Sequence, residues 1–560
     1  MKRTTLSIAL SMALIAGPAA ADERESFEVL KQTTVSLIDA LVDNGVLTRE
    51  KADALIKQAE KKAAQAAAAK GKERGGAVRV QYVPEVVKNQ IREEIKQEVL
   101  AQAKNERWAE PNAIPSWLDR IKWEGDLRLR YQADLFDKGN ATPTDIAWEA
   151  LNDLVAVDGV TMWGGEFAFT RAAELGAVNS SGIATGNTRK DRDRFRVRAR
   201  LGMLAKLTES WSGGIRLATG STTDRVSTNQ TLGQDLNKYT LVVDRAYLKF
   251  DPTEWLTVTG GRIPNPWFST DLVWDDDLNF EGLAATFKPT FANNTVKPFL
   301  TFGAFPIREE NPPASKGRWM HGFQGGTQWD ISSDTRFKVG LAWYEYRNFE
   351  GRVESAASLD TITFRPIAAD YGQYEYSSRL RQKGNTLFRT NALGDTGTTS
   401  YWGLASKFRP INLTASLDLA HFDPAHVILT ADWVKNTAFD RGEILRRTDN
   451  RLNLTDGKNY GYQYKITVGM PQVKEARDWQ VFAAYRYLGS DAVVDAFTDS
   501  DFGLGGTNLK GYVLGAQYGL DRNAVLGMRW LSADSIDSFT LNPAHKFSVD
   551  VFQADVNLKF

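Results

Sequence analysis

The segment Arg192–Leu207, RDRFRVRARLGMLAKL, puts Arg194, Arg196, Arg198 and Arg200 in one row and Phe195, Val197, Ala199, Leu201, Met203, Ala205 and Leu207 in the other. A strand sends successive side chains to opposite faces, so this is a strand with two chemically opposed sides. Two folds suit it. One is a soluble sheet whose arginine face is solvated. The other is a barrel with water inside and lipid outside. A charge facing lipid near the bilayer midplane costs about 2–4 kcal/mol, so in a barrel the arginine row must face the lumen.

The same period of two runs from Ile121 to Phe560. Trp123, Leu127, Leu129 and Tyr131 alternate with Lys122, Glu124, Asp126, Arg128 and Arg130. The pattern predicts sixteen strands, at 121–132, 191–207, 211–220, 239–250, 255–262, 279–288, 295–303, 319–331, 335–348, 400–409, 426–436, 458–470, 478–488, 508–519, 523–533 and 547–560. Short, turn-like connections such as Thr208-Glu209-Ser210 and Leu520-Asp521-Arg522 alternate with long ones such as 133–190, 263–278 and 349–399. Bacterial outer-membrane barrels have this design: an even number of antiparallel strands, short periplasmic turns and long outer loops. Two places fit poorly. Residues 410–425, PINLTASLDLAHFDPA, are expected to form a turn but are long for one. Pro298 falls inside the seventh strand, although proline prefers strand ends, edges or bulges. Counts of fourteen and eighteen therefore stay open beside sixteen. The closing FQADVNLKF alternates Phe552, Ala554, Val556, Leu558 and Phe560 with Gln553, Asp555, Asn557 and Lys559. An amphipathic final strand ending in Phe looks like an outer-membrane assembly signal.

Composition agrees with this without announcing it. Apolar residues make up 42% of the chain, and 69 basic residues balance 69 acidic ones. No excess positive charge points to nucleic acid. No apolar run after the N-terminus is long enough for a helical span. There is no cysteine, so disulfides and thiolate metal sites are excluded.

The first 110 residues differ. Lys2 and Arg3, the apolar run Leu6–Ala16, Gly17-Pro18 and the small residues Ala19–Ala21 predict a signal peptide, 1–21, cleaved before Asp22. Residues 22–110 read as a helical periplasmic segment. Phe27, Leu30, Leu37, Ile38 and Leu41 recur at helical spacing, and Val87, Ile91, Ile95 and Val99 form a second stripe after Pro84. The narrow stripes suit coiled-coil or bundle packing, but sustained heptads are missing. A flexible leader and an association domain that contacts peptidoglycan both fit. Residues 111–560 are the expected barrel.

The stretches VRVQYVPEVVKNQIREEIKQEVLAQAK, AIPSWLDRIKWEGDLRLRY and GGRIPNPWFSTDLVWDDDLNFEG resemble the putative porin family of Gram-negative bacteria. The resemblance spans the helical head and most of the barrel. It implies an all-β transmembrane antiparallel barrel in the outer membrane, surrounded by lipid and passing small hydrophilic solutes or ions through a water-filled lumen. Assembly as a homotrimer is a further implication. No substrate residue is carried over.

The function of such a chain resides in its narrowest part. Arg128 and Arg130 on the first strand and Arg194, Arg196, Arg198 and Arg200 on the second are the candidate pore-lining cations. Asp271, Asp275, Asp276 and Asp277 in the 263–278 connection are the candidate constriction carboxylates, with Pro264, Pro266 and Trp267 to stiffen it. A loop folded inward there would set carboxylates against arginines across the pore. The bland alternative pairs the arginines with local acids such as Asp191 and Asp193 and leaves 263–278 an ordinary loop. Calcium at Asp275–Asp277 is a weaker alternative, because the spacing of a calcium loop is absent. No cofactor, metal or catalytic role is expected: there is no G-x-S-x-G elbow, and the four histidines lack zinc-site spacing. Two other functions remain open. One is a structural envelope anchor. The other is a substrate-specific channel with Tyr344 and Tyr346 as a slide for sugars.

Overall fold

A computed structural model describes residues 120–140, 187–289, 291, 295–310, 316–355, 358–367, 371–377, 379–392, 401–450, 452, 458–537 and 546–560. The chain divides into two units, Met1–Ser116 and Trp117–Phe560, and the described residues all belong to the second. The expected signal peptide and helical segment, 1–110, lie outside the described residues.

Sixteen long strands form the barrel: β1 (Ile121–Phe136), β2 (Arg192–Lys206), β3 (Trp211–Thr219), β4 (Leu241–Thr253), β5 (Leu256–Pro264), β6 (Asn279–Phe287), β7 (Val296–Arg308), β8 (Arg318–Ser332), β9 (Thr335–Arg347), β10 (Pro410–Phe422), β11 (Ala425–Asn436), β12 (Tyr460–Gly469), β13 (Trp479–Leu488), β14 (Leu509–Asp521), β15 (Ala524–Ser535) and β16 (Ser548–Lys559). Each pairs antiparallel with its sequence neighbour, and β1 pairs with both β2 and β16, so the sheet closes on itself. Closure leaves no strand edge, as a lipid environment requires. No described helix is long and apolar enough to cross a membrane; the crossing is made by strands.

The two faces of each strand meet the two media that its alternation calls for. Leu127 and Leu129 are 50% and 51% exposed on the outside, whereas Arg130 and Arg198 inside are 1% and 7% exposed. Aromatic rings mark the short-turn rim. Trp211 stacks on Phe250 with ring centroids 4.5 Å apart, and Trp255 on Phe287 at 6.1 Å. Amphipathic rings of this kind favour the bilayer interface. Pro298 lies before Leu300, the first β7 residue paired with β6, so its missing N–H falls where β7 has only β8 beside it.

The tenth strand is a correction. It is Pro410–Phe422, the stretch expected to be a turn, and not 400–409. Ile411, Leu413, Ala415, Leu417 and Leu419 alternate with Asn412, Thr414, Ser416 and Asp418, and Pro410 takes the first position, which needs no ladder donor. The inward residues are mostly small and uncharged, so the alternation is muted. Among the described residues of 401–409, Trp402–Leu404 is the extended part, paired with Leu387–Arg389 inside the connection to β10.

The seam is pinned by the last residue. Phe560 exchanges two backbone hydrogen bonds with Gly125, at 3.0 and 3.1 Å. Its ring covers Gly125: a Cβ there would stand 2.3 Å from the ring and 2.7 Å from the Arg200 carbonyl oxygen. Gly125→Val should therefore abolish most of the refolded barrel. The check is the fraction of protein with compact, heat-modifiable electrophoretic mobility.

Candidate functional site

Eight connections leave the end of the barrel opposite the short turns, and the one after β5, residues 265–278 (L3), turns inward. Its anchor points are spread around the wall. The Phe268 backbone N–H donates to Gln324 Oε1 on β8 at 2.8 Å, and Gln324 Nε2 donates back to the Phe268 carbonyl at 2.7 Å. Thr270 Oγ1 donates to Asp432 on β11 at 2.6 Å. Asp271 accepts from Gln463 on β12 at 2.9 Å and pairs with Arg486 on β13 at 2.7 Å. Asp277 then pairs with Arg200 on β2 at 3.0 Å. A segment tied to β8, β11, β12, β13 and β2 crosses the lumen.

L3 divides that lumen unequally. Trp267, Leu272, Val273, Trp274 and Leu278 are buried against the β5–β9 wall with Phe305, Met320 and Tyr344. Trp267 and Trp274 stand edge-on to Tyr344, at centroid separations of 5.2 and 5.1 Å. Gly322 allows this approach, since a Cβ there would lie 2.5 Å from the Trp267 ring. Tyr344 and Tyr346, considered above as a slide for sugars, are 0% and 7% exposed. They form the packing floor of L3, because an inward ring on β9 meets the loop's apolar side before it meets water.

The other side of L3, termed its wet side, faces polar and charged side chains. A cavity of about 780 Å³ lies between it and the β10–β16 and β1–β2 wall. Arg128, Asp276, Thr430, Lys465, Gln517 and Asn557 are among its lining residues. A second loop, 489–508 (L7), completes the constriction. Asp275 N–H donates to the Phe497 carbonyl at 2.9 Å, and Ser500 N–H donates to the Asp275 carboxylate at 2.9 Å. Arg486 joins both loops to the wall, pairing with Asp271 and with Asp499 of L7 at 2.8 Å.

The structure brings the predicted arginines together on neighbouring strands, with Arg128 directly opposite Arg198 and Arg130 opposite Arg196. Like charges in that register repel. Their neutralisers come from beyond the expected Asp191 and Asp193. Arg130 pairs with Asp555 on β16 at 2.6 Å and Asp501 of L7 at 3.1 Å. Arg194 pairs with Asp134 at 2.9 Å. Arg198 and Arg200 share Asp126, at 2.7 and 2.5 Å. Among the described residues, Arg128 and Arg196 have no carboxylate at ion-pair distance; Arg128 donates to Asn229 and Arg196 to Gln132 and Ser227. Asp191 instead pairs with Lys138, and Asp193 accepts from Tyr131.

The four L3 carboxylates diverge. Burial works against the charge on Asp277, but Arg198 and Arg200 hold it below the usual carboxylate range. Burial, Asp499 and Asp277 push Asp275 well above that range, and it serves the backbone N–H groups of Asp277 and Ser500. Asp276 is exposed to the lumen, where the enclosing wall and the carboxylates of Asp271, Asp499 and Asp277 push it up to about 6. With Asp275 and Asp277 turned to different partners and Asp276 alone, the three do not converge on one point as calcium ligation needs. Arg486, and Arg529 on β15, which pairs with Asp501 at 2.5 Å, were legible as inward positions on alternating strands. Asp499 and Asp501 carry no such signal, because loop residues have no period.

A closed barrel that is apolar outside, polar inside and narrowed by inward loops is a membrane channel of the porin class. The chain belongs to the family described as Putative porin, whose sequence profile matches residues 31–560. It is an outer-membrane porin. No curated protein sequence matches it. Similar solved structures include OmpF of Salmonella typhi in complex with daunomycin, at 9% identity over 79% of this chain and 97% of that one, with a TM-score of 0.36. The outer membrane channel DcaP of Acinetobacter baumannii matches at 10% identity over 79% and 97%, TM-score 0.36. The anion-selective porin from Comamonas acidovorans matches at 11% over 79% and 99%, TM-score 0.37.

Replacing Arg486 with Met strands two carboxylates on two loops. Removing one member of a buried ion-pair network costs roughly 3–5 kcal/mol, and less here because the Asp271 side chain is 37% exposed. The expected result is a folded barrel whose open-channel current fluctuates more than the wild type's in single-channel records.

Proposed function

We propose that small hydrophilic solutes and ions diffuse passively between L3 and the β10–β16 wall, biased by the few lumen charges that have no partner. The observation that carries this reading is the polar cavity on the wet side of L3, with its apolar side sealed against β5–β9. The arginine row is mostly matched internally, so its role is to hold L3 and L7 in place as much as to attract anions. Arg128, Arg196, Lys338 and Lys465 against Asp276 leave a positive excess, which gives an anion preference at neutral pH. No turnover chemistry is involved.

The reversal potential across a planar bilayer under a KCl gradient tests this. Wild type should favour anions. Arg128→Gln should shift the potential toward cation preference, and Asp276→Asn toward anion preference. Protonation removes the Asp276 charge as pH falls through about 6, so acidification should move wild type toward anion preference, and by less in Asp276→Asn over that interval. Closed, non-conducting barrels would overturn the open-channel reading in favour of an envelope anchor.

We also propose that residues 1–21 are removed on export, that 22–110 form a helical periplasmic segment that contacts peptidoglycan, and that three copies assemble in the membrane. The helical spacing of apolar residues in 22–110 supports the second point. Deleting 22–110 should leave single-channel conductance unchanged and abolish co-sedimentation with purified peptidoglycan.

A further inference from the structure

Two lysines on the inner wall just below L3 stand without a counter-ion. Lys338 on β9 holds its Nζ 4.0 Å from the Phe268 ring centroid and 5.5 Å from that of Phe299. Lys465 on β12 holds its Nζ 4.3 Å from the Phe482 ring centroid. Among the described residues neither has a carboxylate oxygen within 4.0 Å. The neighbouring charges have other partners or sit in L3: Arg336 is held by Asp330, Asp418 by His426 and Asp271 by Arg486, while Asp276 lies in the loop above. A ring face stabilises an ammonium by about 0.5–2 kcal/mol without neutralising it. Neither ammonium is therefore taken up by an ion pair, and each is open to a passing anion.

The strand register sets these lysines in one row. Lys338 is directly opposite Ser416, Ser416 opposite Thr430, and Thr430 opposite Lys465. All four lie on the inward set of their strands, where Leu341, Leu413, Leu429 and Tyr464 mark the outward set. Among the described residues, neither the Ser416 nor the Thr430 hydroxyl has a hydrogen-bond partner. The row one inward step nearer L3 is Gly340, Thr414, Asp432 and Gln463, and it is the row to which Thr270 and Asp271 are tied. Two residues of strand place the lysine row about 7 Å beyond those attachments, toward the short turns.

We propose that Lys338, Ser416, Thr430 and Lys465 form an oxyanion track. It is an ammonium–hydroxyl–hydroxyl–ammonium row that binds the carboxylate or phosphate groups of solutes that have cleared L3. Strands about 4.8 Å apart set the two hydroxyls at a spacing that successive oxygens of one oxyanion or two acid groups of one solute can bridge. The ammoniums rest on rings at the outer ends of the row, Phe268 and Phe299 at one end and Phe482 at the other, so a bound group draws each flexible stem off its ring toward the hydroxyls. The track makes organic acids and phosphate esters the favoured solutes over neutral ones of equal size. It rests on the reading that solutes pass on the wet side of L3.

The test uses the full-chain porin in planar bilayers in KCl, with inorganic phosphate or acetate added at constant ionic strength on the short-turn side. Both anions should reduce the chloride current. In Lys338→Met/Lys465→Met the half-blocking concentration should rise about tenfold, equivalent to ~1.4 kcal/mol. Ser416→Ala/Thr430→Val, which leaves every charge in place, should raise it about two- to threefold, a few tenths of a kcal/mol. Block by phosphate alone, lost in the same variants, supports the track and narrows its class to phosphoryl groups. An unchanged half-blocking concentration in both double variants, with conductance normal, overturns the track and leaves the porin reading standing. Folded wild-type barrels that pass no current overturn both.

Discussion

Charge matching across the inner wall is the constraint on which the rest of this barrel depends. β1 and β2 set arginines directly opposite one another, with Arg128 facing Arg198 and Arg130 facing Arg196. An enclosed row of that kind repels itself unless carboxylates reach it. They arrive from four places far apart in the chain: Asp126 and Asp134 on β1, Asp555 on the closing strand, Asp277 in L3 and Asp501 in L7. Neutralising the row thus closes the seam and draws two loops into the lumen. Arg486 repeats the device on the far wall, where one guanidinium holds both loops.

The loops pay for this placement by packing as well as by charge. L3 is amphipathic across its own width. Trp267 and Trp274 lie against the rings of β7 and β9, and Asp271, Asp276 and Asp277 face the wet side. A loop with polar residues alone would gain nothing from leaving bulk water for the barrel. Its buried aromatic side supplies that gain, and its carboxylates then land within reach of arginines. The result is an eccentric pore: one half of the lumen is filled as a protein core is filled, and the other is left open and lined by polar side chains. Of the charges left over from the matching, Arg128, Asp276 and Lys465 line that open half.

Most of the barrel was legible because lipid and water impose a strict alternation on every strand. Fifteen of the expected strands overlap the observed ones, and the alternation of short and long connections identified the two ends. The tenth strand was missed where that signal weakens. Asn412, Thr414 and Ser416 are polar enough for a lumen but carry no charge to mark the period, and charged or bulky inward residues mark it elsewhere. The direction of Tyr344 and Tyr346 was legible and their surroundings were not, since a strand's period says which way a ring points and nothing about what covers it.

By itself the amino-acid order determined the medium of each face, the antiparallel hairpin plan and the inward position of the arginines, because each follows from a period of two read along a single strand. Only the tertiary structure decided which charges cancel. Arg130 and Asp501 stand 371 residues apart, and Asp499 and Asp501 belong to a loop with no period to betray its direction. Ion pairing acts over a few ångströms of space, and those distances exist only once the sheet has closed and L3 and L7 have folded inside it.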